Sequence, residues 1–289
     1  MRLAAKSAGA YVAGPSFDGA VHSVFPRAAN LCLRNGKLVS LVASELGNQP
    51  FAYLLDLAGD FDFASTLAEG MGAHARAGVL RFEGAPLEIA LTAARPWRSG
   101  LRRLRLDPAR AEIARARAIV RQRHGGHPES LALARIAAGR TDALCRATVQ
   151  LDNDAARAAV GRLAGFGAGL TPAGDDWLVG FLAGLWSVEA GGPFDGFRAR
   201  LAAEIATAAA TSNVLSGAFL EAAAQGETSE RLADLVVAIA RAEADAQLVA
   251  ATDAALAVGA SSGADGVAGL LASLDAVAVR ATEPSAAIS

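Results

Sequence analysis

The sequence predicts an α+β protein. An N-terminal antiparallel β-rich, barrel-like domain fills residues 1–106, and a C-terminal α-helical domain carrying two glycine-rich loops fills 107–289. Three observations lead there. The first hundred residues hold short β-type runs punctuated by glycine and proline. After about residue 106 the chain turns alanine-rich with helical spacing. No alternation of strand and helix is visible, which argues against a doubly wound sheet.

Strands are expected over 9–13, 20–25, 30–34, 37–43, 51–57, 78–83 and 87–92. The pair 30–34 and 37–43 flanks Asn35-Gly36, the dipeptide that suits the positive φ angles of a type I′ hairpin turn. Short strands at this spacing point to a curved antiparallel sheet or small barrel. Asp107-Pro108 then reads as a helix start, an N-cap carboxylate followed by Pro in the first turn. Helices are expected over 108–123, 128–138, 140–150, 153–163, 172–189, 196–210, 212–225, 229–243, 246–257 and 264–278, with Gly226 and Gly259 placed as C-caps. Residues 283–289 read as a frayed tail.

The composition excludes several classes. With 289 residues, 53% hydrophobic and 19% charged, the chain is long and apolar enough to bury a core without staples, and it is neither disordered nor collagen-like. Two cysteines, Cys32 and Cys145, cannot build a disulfide framework. The first fourteen residues hold no continuous apolar run of the secretory type. The most apolar stretch, 177–188, makes about 18 Å of helix against a bilayer core of about 30 Å. A soluble cytoplasmic protein with no membrane partner is the expectation. The net charge of −2 and the near absence of aromatics among ten arginines in 95–123 argue against nucleic acid. Those arginines read as a solvated helix face or a contact with a partner subunit.

The chemistry concentrates in the segment from Gly165 to Trp177. Thr171 reads as an N-cap and Pro172 as the first helical residue, with Gly174, Asp175 and Asp176 in the first turn. A glycine loop feeding a helix N-terminus offers N–H groups and a positive dipole end to an anion. Gly169 and Gly174 have Walker A spacing, but Asp175 stands where the lysine belongs, and Leu170 breaks a dinucleotide fingerprint. Asp175 and Asp176 have three readings: a Mg²⁺ pair, a proton-transfer site, or simple partners of the helix dipole. The segment 261–269 echoes 172–180 without a gap, aligning Gly174 with Gly263, Asp176 with Asp265 and Gly180 with Gly269. The echo predicts two helix N-termini converging on one anionic ligand.

Lesser signals carry two readings each. Ser212 and Ser216, four residues apart, share a helix face and either line a pocket or cap a helix junction. Asn30 either faces a ligand or serves a turn. His22-Ser23 is rejected as a nucleophilic dyad, because neighbours on a strand point to opposite faces. His124 and His127 lack a third metal ligand nearby.

The segments 21–31, 165–180 with its Gly-Leu-Thr-Pro-x-Gly-Asp-Asp core, 211–226 and 259–269, in that order, resemble the AllH-like family, a subunit of oxamate carbamoyltransferase. That resemblance implies carbamoyl transfer between oxalurate and phosphate, giving oxamate and carbamoyl phosphate, in a complex with two other subunits. The ligand expected is thus a small anion such as carbamoyl phosphate or oxamate. Gly167, Gly169, Thr171 and Gly174, with Ser261, Ser262 and Gly263, are expected to hold its phosphate or carboxylate. Asp176 and Asp265 would orient the carbamoyl nitrogen or a metal, with Asp175 behind them, and Asn30 and Ser212 would complete a pocket between the domains. The competing reading is a non-catalytic scaffold or anion-binding subunit.

Overall fold

A computed structural model describes residues 1–12, 14–124, 128–189 and 191–282, including their side chains except at 124 and 128–138. The expected tail at 283–289 and the loop from Gly125 to His127 lie outside the described residues. The chain divides into two compact units: Met1–Ser99 with Glu227–Arg231, and Gly100–Gly226 with Leu232–Ser289.

The first unit is a closed eight-strand barrel. Its strands are β1 (Arg2–Gly9), β2 (Phe17–Phe25), β3 (Ala28–Leu33), β4 (Leu38–Ala43), β5 (Ala52–Leu55), β6 (Gly72–Arg76), β7 (Val79–Phe82) and β8 (Ala85–Ala90). The order β5-β4-β3-β2-β6-β7-β8-β1 closes through β1–β5, and β9 (Arg95–Trp97) adds alongside the end of β1. Closure leaves no long unpaired edge. The barrel is mixed: β4–β5, β1–β8 and β1–β9 are parallel, where an antiparallel sheet was expected. Inward residues alternate as the pleat demands, with Ala29, Leu31, Val39, Leu41, Leu80 and Ile89 filling the centre and Phe63 entering from a loop.

The Asn35-Gly36 hairpin forms, but its turn is one residue longer than expected. The Gly36 N–H donates to Leu33 O at 2.9 Å and the Leu33 N–H to Lys37 O at 2.8 Å. Only Gly36 is left-handed, at φ +79°, which makes a three-residue loop with a glycine bulge. The return segment Glu227–Arg231 is pinned to the barrel. Glu227 accepts from Ser99 N at 2.8 Å and Arg98 at 3.0 Å, and Glu230 accepts from Asn48 N at 2.8 Å.

The second unit holds α1 (Ala111–His124), α2 (Pro128–Gln150), α3 (Asn153–Leu163), α4 (Ala173–Ser187), α5 (Pro193–Ala209), α6 (Val214–Ala224), the body of α7 (Glu230–Ala240), α8 (Asp245–Leu256) and α9 (Ser262–Thr282). The two helices expected over 128–138 and 140–150 are one helix that runs through Gly139. A helical glycine costs about 1 kcal/mol, which packing can offset. Asp152 caps α3 through Ala155 N, and Asn213 caps α6 through Ser216 N.

Helix α4 is the hub, with every residue from Gly174 to Ser187 buried. It lies along α9 at backbone contact distance. A Cβ on Gly180 would overlap the carbonyl of Gly266, and one on Gly269 would overlap the carbonyl of Trp177. Among the described residues α9 is the one helix long and apolar enough to cross a membrane, and 56% of its most apolar window is buried.

Candidate functional site

The site is built where α4, α6 and α9 begin. Gly165, Gly167 and Gly169 take φ of +69°, +116° and +100°, and this alternation turns the loop back over the start of α4. The N-cap position is Pro172, not Thr171, and it makes no side-chain cap. The loop caps the helix itself, because Phe166 O accepts the Gly174 N–H at 2.8 Å. The N–H groups of Asp175 and Asp176 both go to Pro172 O, at 2.9 and 3.1 Å. On α9 the Gly263 N–H donates to Val258 O at 2.9 Å and the Asp265 N–H to Ser261 O at 3.0 Å.

These bonds bear on two members of the expected anion cradle. Gly174 and Gly263 have spent their N–H groups on the chain. What the two glycines supply is close approach. A Cβ on Gly174 would overlap the carbonyl of Leu163, and one on Gly263 would overlap that of Ala255. Each lets a helix start against the end of the helix before it. Gly167 approaches the backbone nitrogen of Ala173; Gly167, Gly169 and Ser261 are all exposed, with open space around Gly169.

Asp175 is 1% exposed and fully engaged. Its Oδ1 accepts from Gly165 N at 2.7 Å, and its Oδ2 accepts from Ser212 Oγ at 2.7 Å and Ser216 Oγ at 2.6 Å. The two serines do not share a helix face as expected, because Ser212 precedes the Asn213 N-cap and only Ser216 lies on α6, yet both hydroxyls converge on Asp175. The carboxylate ties the glycine loop and α6 to α4. Three proton donors take three of the roughly four lone-pair sites of this carboxylate, which makes it chiefly a structural acceptor. Among the described residues no group of three or more His, Cys, Asp or Glu side chains is arranged to hold a metal.

Asp176 is also buried but is not fully partnered. It is 9% exposed, and its Oδ2 is buried with no hydrogen-bond partner. Burial pushes its pKa up to about 7; the hydroxyls of Ser262 and Thr171 pull the other way, and the charges of Asp265 and Asp175 add to the rise. Thr171 and Ser262 are themselves bonded, Oγ to Oγ, at 2.7 Å. That bond joins the start of α4 to the start of α9, so the two N-termini meet as the sequence echo predicted. The direct bond went unforeseen, although the echo was its signal. A buried carboxyl with a pKa near neutrality can both hold and release a proton under working conditions.

Asn30 sits in the barrel unit and is satisfied there. Its Nδ2 donates to Ser23 Oγ at 2.9 Å and its Oδ1 accepts from Ser40 Oγ at 2.5 Å. All three are buried, in cross-strand register on β2, β3 and β4. The pairing shifts between Val21 and Ser23, a bulge that brings His22 Nδ1 to 3.3 Å from Ser23 Oγ. The alternation argument that separated His22 from Ser23 thus fails at this position, because a bulge breaks the period of two. Of the ten arginines, Arg98, Arg105, Arg115, Arg117 and Arg123 form ion pairs with acids, and Arg102 stacks over Trp186 at 4.2 Å.

Two family models match the chain, one described as oxamate carbamoyltransferase subunit AllH over residues 163–274 and one as the AllH family N-terminal domain over residues 3–96. The chain belongs to the AllH family. The first match runs from the end of α3 into α9 and contains Asp175, Asp176, Ser212, Ser216 and Asp265; the second covers the barrel strands with Ser23 and Asn30. The AllH family is named for a subunit, which implies other protein partners in a complex. Among curated proteins and solved structures none matches the chain significantly.

Proposed function

We propose that this chain is the subunit of an oxamate carbamoyltransferase complex that manages the proton on the oxamate nitrogen, the group that leaves the carbamoyl carbon in one direction and attacks it in the other. The observation that carries the reading is the unpartnered, buried Oδ2 of Asp176 at the joined starts of α4 and α9. In the direction from oxalurate, a phosphate oxygen adds to the carbamoyl carbonyl carbon and a tetrahedral oxyanion forms. The bond from that carbon to the oxamate nitrogen then breaks. An amide anion is a poor leaving group, so the nitrogen must take a proton as it departs. Asp176, carrying one near neutral pH, gives it. In reverse the same carboxylate takes the proton from oxamate. Thr171 and Ser262 hold the carboxyl in place, and Asp175 with Ser212 and Ser216 fixes the helix that carries it. The small anionic substrate and two partner subunits complete the proposal.

The family name and the buried acid support this reading. The test is turnover of the co-purified complex, measured as carbamoyl phosphate formed from oxalurate and phosphate. Asp176→Asn should lower it on the order of 10²- to 10⁴-fold, the usual worth of a general acid, while the complex still assembles. A second reading, a non-catalytic scaffold, draws on the surface clefts. One is lined by Met1, Arg2, Arg81 and Glu88, the other by Asn153, Arg157, Arg200 and Glu204, and neither opens on Asp176. Full turnover by an assembled Asp176→Asn complex would establish the scaffold instead.

A further inference from the structure

The echo between 172–180 and 261–269 is a constant offset of 89 residues, and the folded chain obeys it beyond the aligned letters. Gly174 and Gly263 do the same work, each packing against a carbonyl near the end of the preceding helix. The cross-contacts are reciprocal. Gly180 meets Gly266 and Gly269 meets Trp177, and the offset converts the first pair into the second. Gly184 meets Ser273, and these two residues are each other's counterparts. A contact between counterparts lies on a two-fold axis. Helices α4 and α9 are therefore a pseudo-two-fold pair running side by side from joined N-termini. Asp176 and Asp265 are each the fourth residue of their helix.

The symmetry is broken in the side chains around the two acids. Asp176 has the hydroxyls of Thr171 and Ser262. Under the offset the counterparts of Thr171 and Ser262 are Ala260 and Ala173. Asp176 is buried, whereas Asp265 is partly exposed. Two copies of one acid thus stand in unlike surroundings, one buried and one partly exposed. The charged groups facing Asp176 are Asp175 from its own helix and Asp265 from α9. Asp175 is already compensated by its three donors.

We propose that Asp265 is a positioning residue for the reaction: the more exposed half of the pseudo-two-fold pair, whose carboxylate beside Asp176 keeps the proton on the unpartnered oxygen of Asp176 until the leaving nitrogen takes it. This rests on the reading of Asp176 as the proton donor. Removing the charge at 265 makes Asp176 a stronger acid that is unloaded at neutral pH.

The test has two arms. In the first, the full chain is labelled with carboxyl-¹³C aspartate, and the Asp176 resonance is assigned by its loss in Asp176→Asn. Asp265→Asn should move its titration midpoint down by about 0.5–1 pH unit, and Asp265→Glu should restore it. An unmoved midpoint in folded Asp265→Asn overturns the proposal. In the second, the pH profile of the complex carrying Asp265→Asn should shift its limb to lower pH by the same amount. A uniform loss with an unmoved limb marks a merely structural role and also overturns it. The first arm reads the coupling without turnover. A shifted midpoint beside full activity of Asp176→Asn would therefore sink the proposed function and leave the coupling standing.

Discussion

Asp176→Asn also separates burial from catalysis when stability is followed against pH. The Asp176 carboxyl is buried, and its pKa rises from 3.8 to about 7 on folding. Between those values the folded chain holds a proton that the unfolded chain has released. Stability from this group is therefore full below the unfolded pKa and is lost as pH rises through the folded one. At 1.36 kcal/mol per unit, the whole loss is about 4 kcal/mol, of which roughly 2–3 kcal/mol falls between pH 5 and pH 8. An amide at 176 has no such dependence. It adds the cost of a mismatched buried group, about 1–3 kcal/mol, but equally at both values. Urea unfolding of the wild-type chain and the variant at pH 5 and pH 8 gives the difference of differences. The variant should gain roughly 2–3 kcal/mol on the wild type between the two. A constant gap would mean that Asp176 is ionised in the folded chain at pH 5, and the proton-donor argument would fall with it.

Two further outcomes follow from the packing. Gly180→Ala, whose Cβ overlaps the Gly266 carbonyl, must push α4 from α9 and should cost at least 2–3 kcal/mol. Gly161→Ala, at an exposed position of α3 with nothing near its Cβ, should gain up to about 1 kcal/mol; equal effects in denaturant titrations would deny the backbone contact. Asp175→Ala strands Gly165 N, Ser212 Oγ and Ser216 Oγ and should cost more than about 3 kcal/mol, while Ser216→Ala removes one bond and should cost about 1–2 kcal/mol. Thermal unfolding of the pair would refute the clasp if Asp175→Ala were the milder change.

The barrel was legible where strands announce themselves and obscure where they do not. The hairpin at β3–β4 has β-branched and apolar runs around Asn35-Gly36 and was placed within two residues. Strand β6, Gly-Ala-His-Ala-Arg, has no β-branched residue at all and was missed. It exists because β2 and β7 pair with it on both sides, a tertiary gain that propensity cannot register. Strand β1 was displaced for the same reason, since its Ala-rich run, with no β-branched residue, is held by β5, β8 and β9. The parallel pairings could not be read either, since direction is decided by barrel closure and not by local composition.

At the site, the adjacent acids had opposite fates that no local rule separates. Consecutive helical residues point about 100° apart. Asp175 consequently turns toward Ser212 and Ser216 at the start of α6, and Asp176 toward Ser262 of α9. Which neighbour waits on each side is a tertiary fact. The glycines misled in a similar way. A glycine at a helix start offers an N–H and removes a Cβ, and only the hydrogen-bond partners decide which property is used. The duplication did carry the distinction. Under the 89-residue offset Asp176 becomes Asp265, whereas Asp175 becomes Ala264. The acid that the second copy retains is the one with an unpartnered oxygen, and the acid that it lacks is the clasp. A clasp on the glycine loop and α6 is needed once, because only the first copy has those elements beside it.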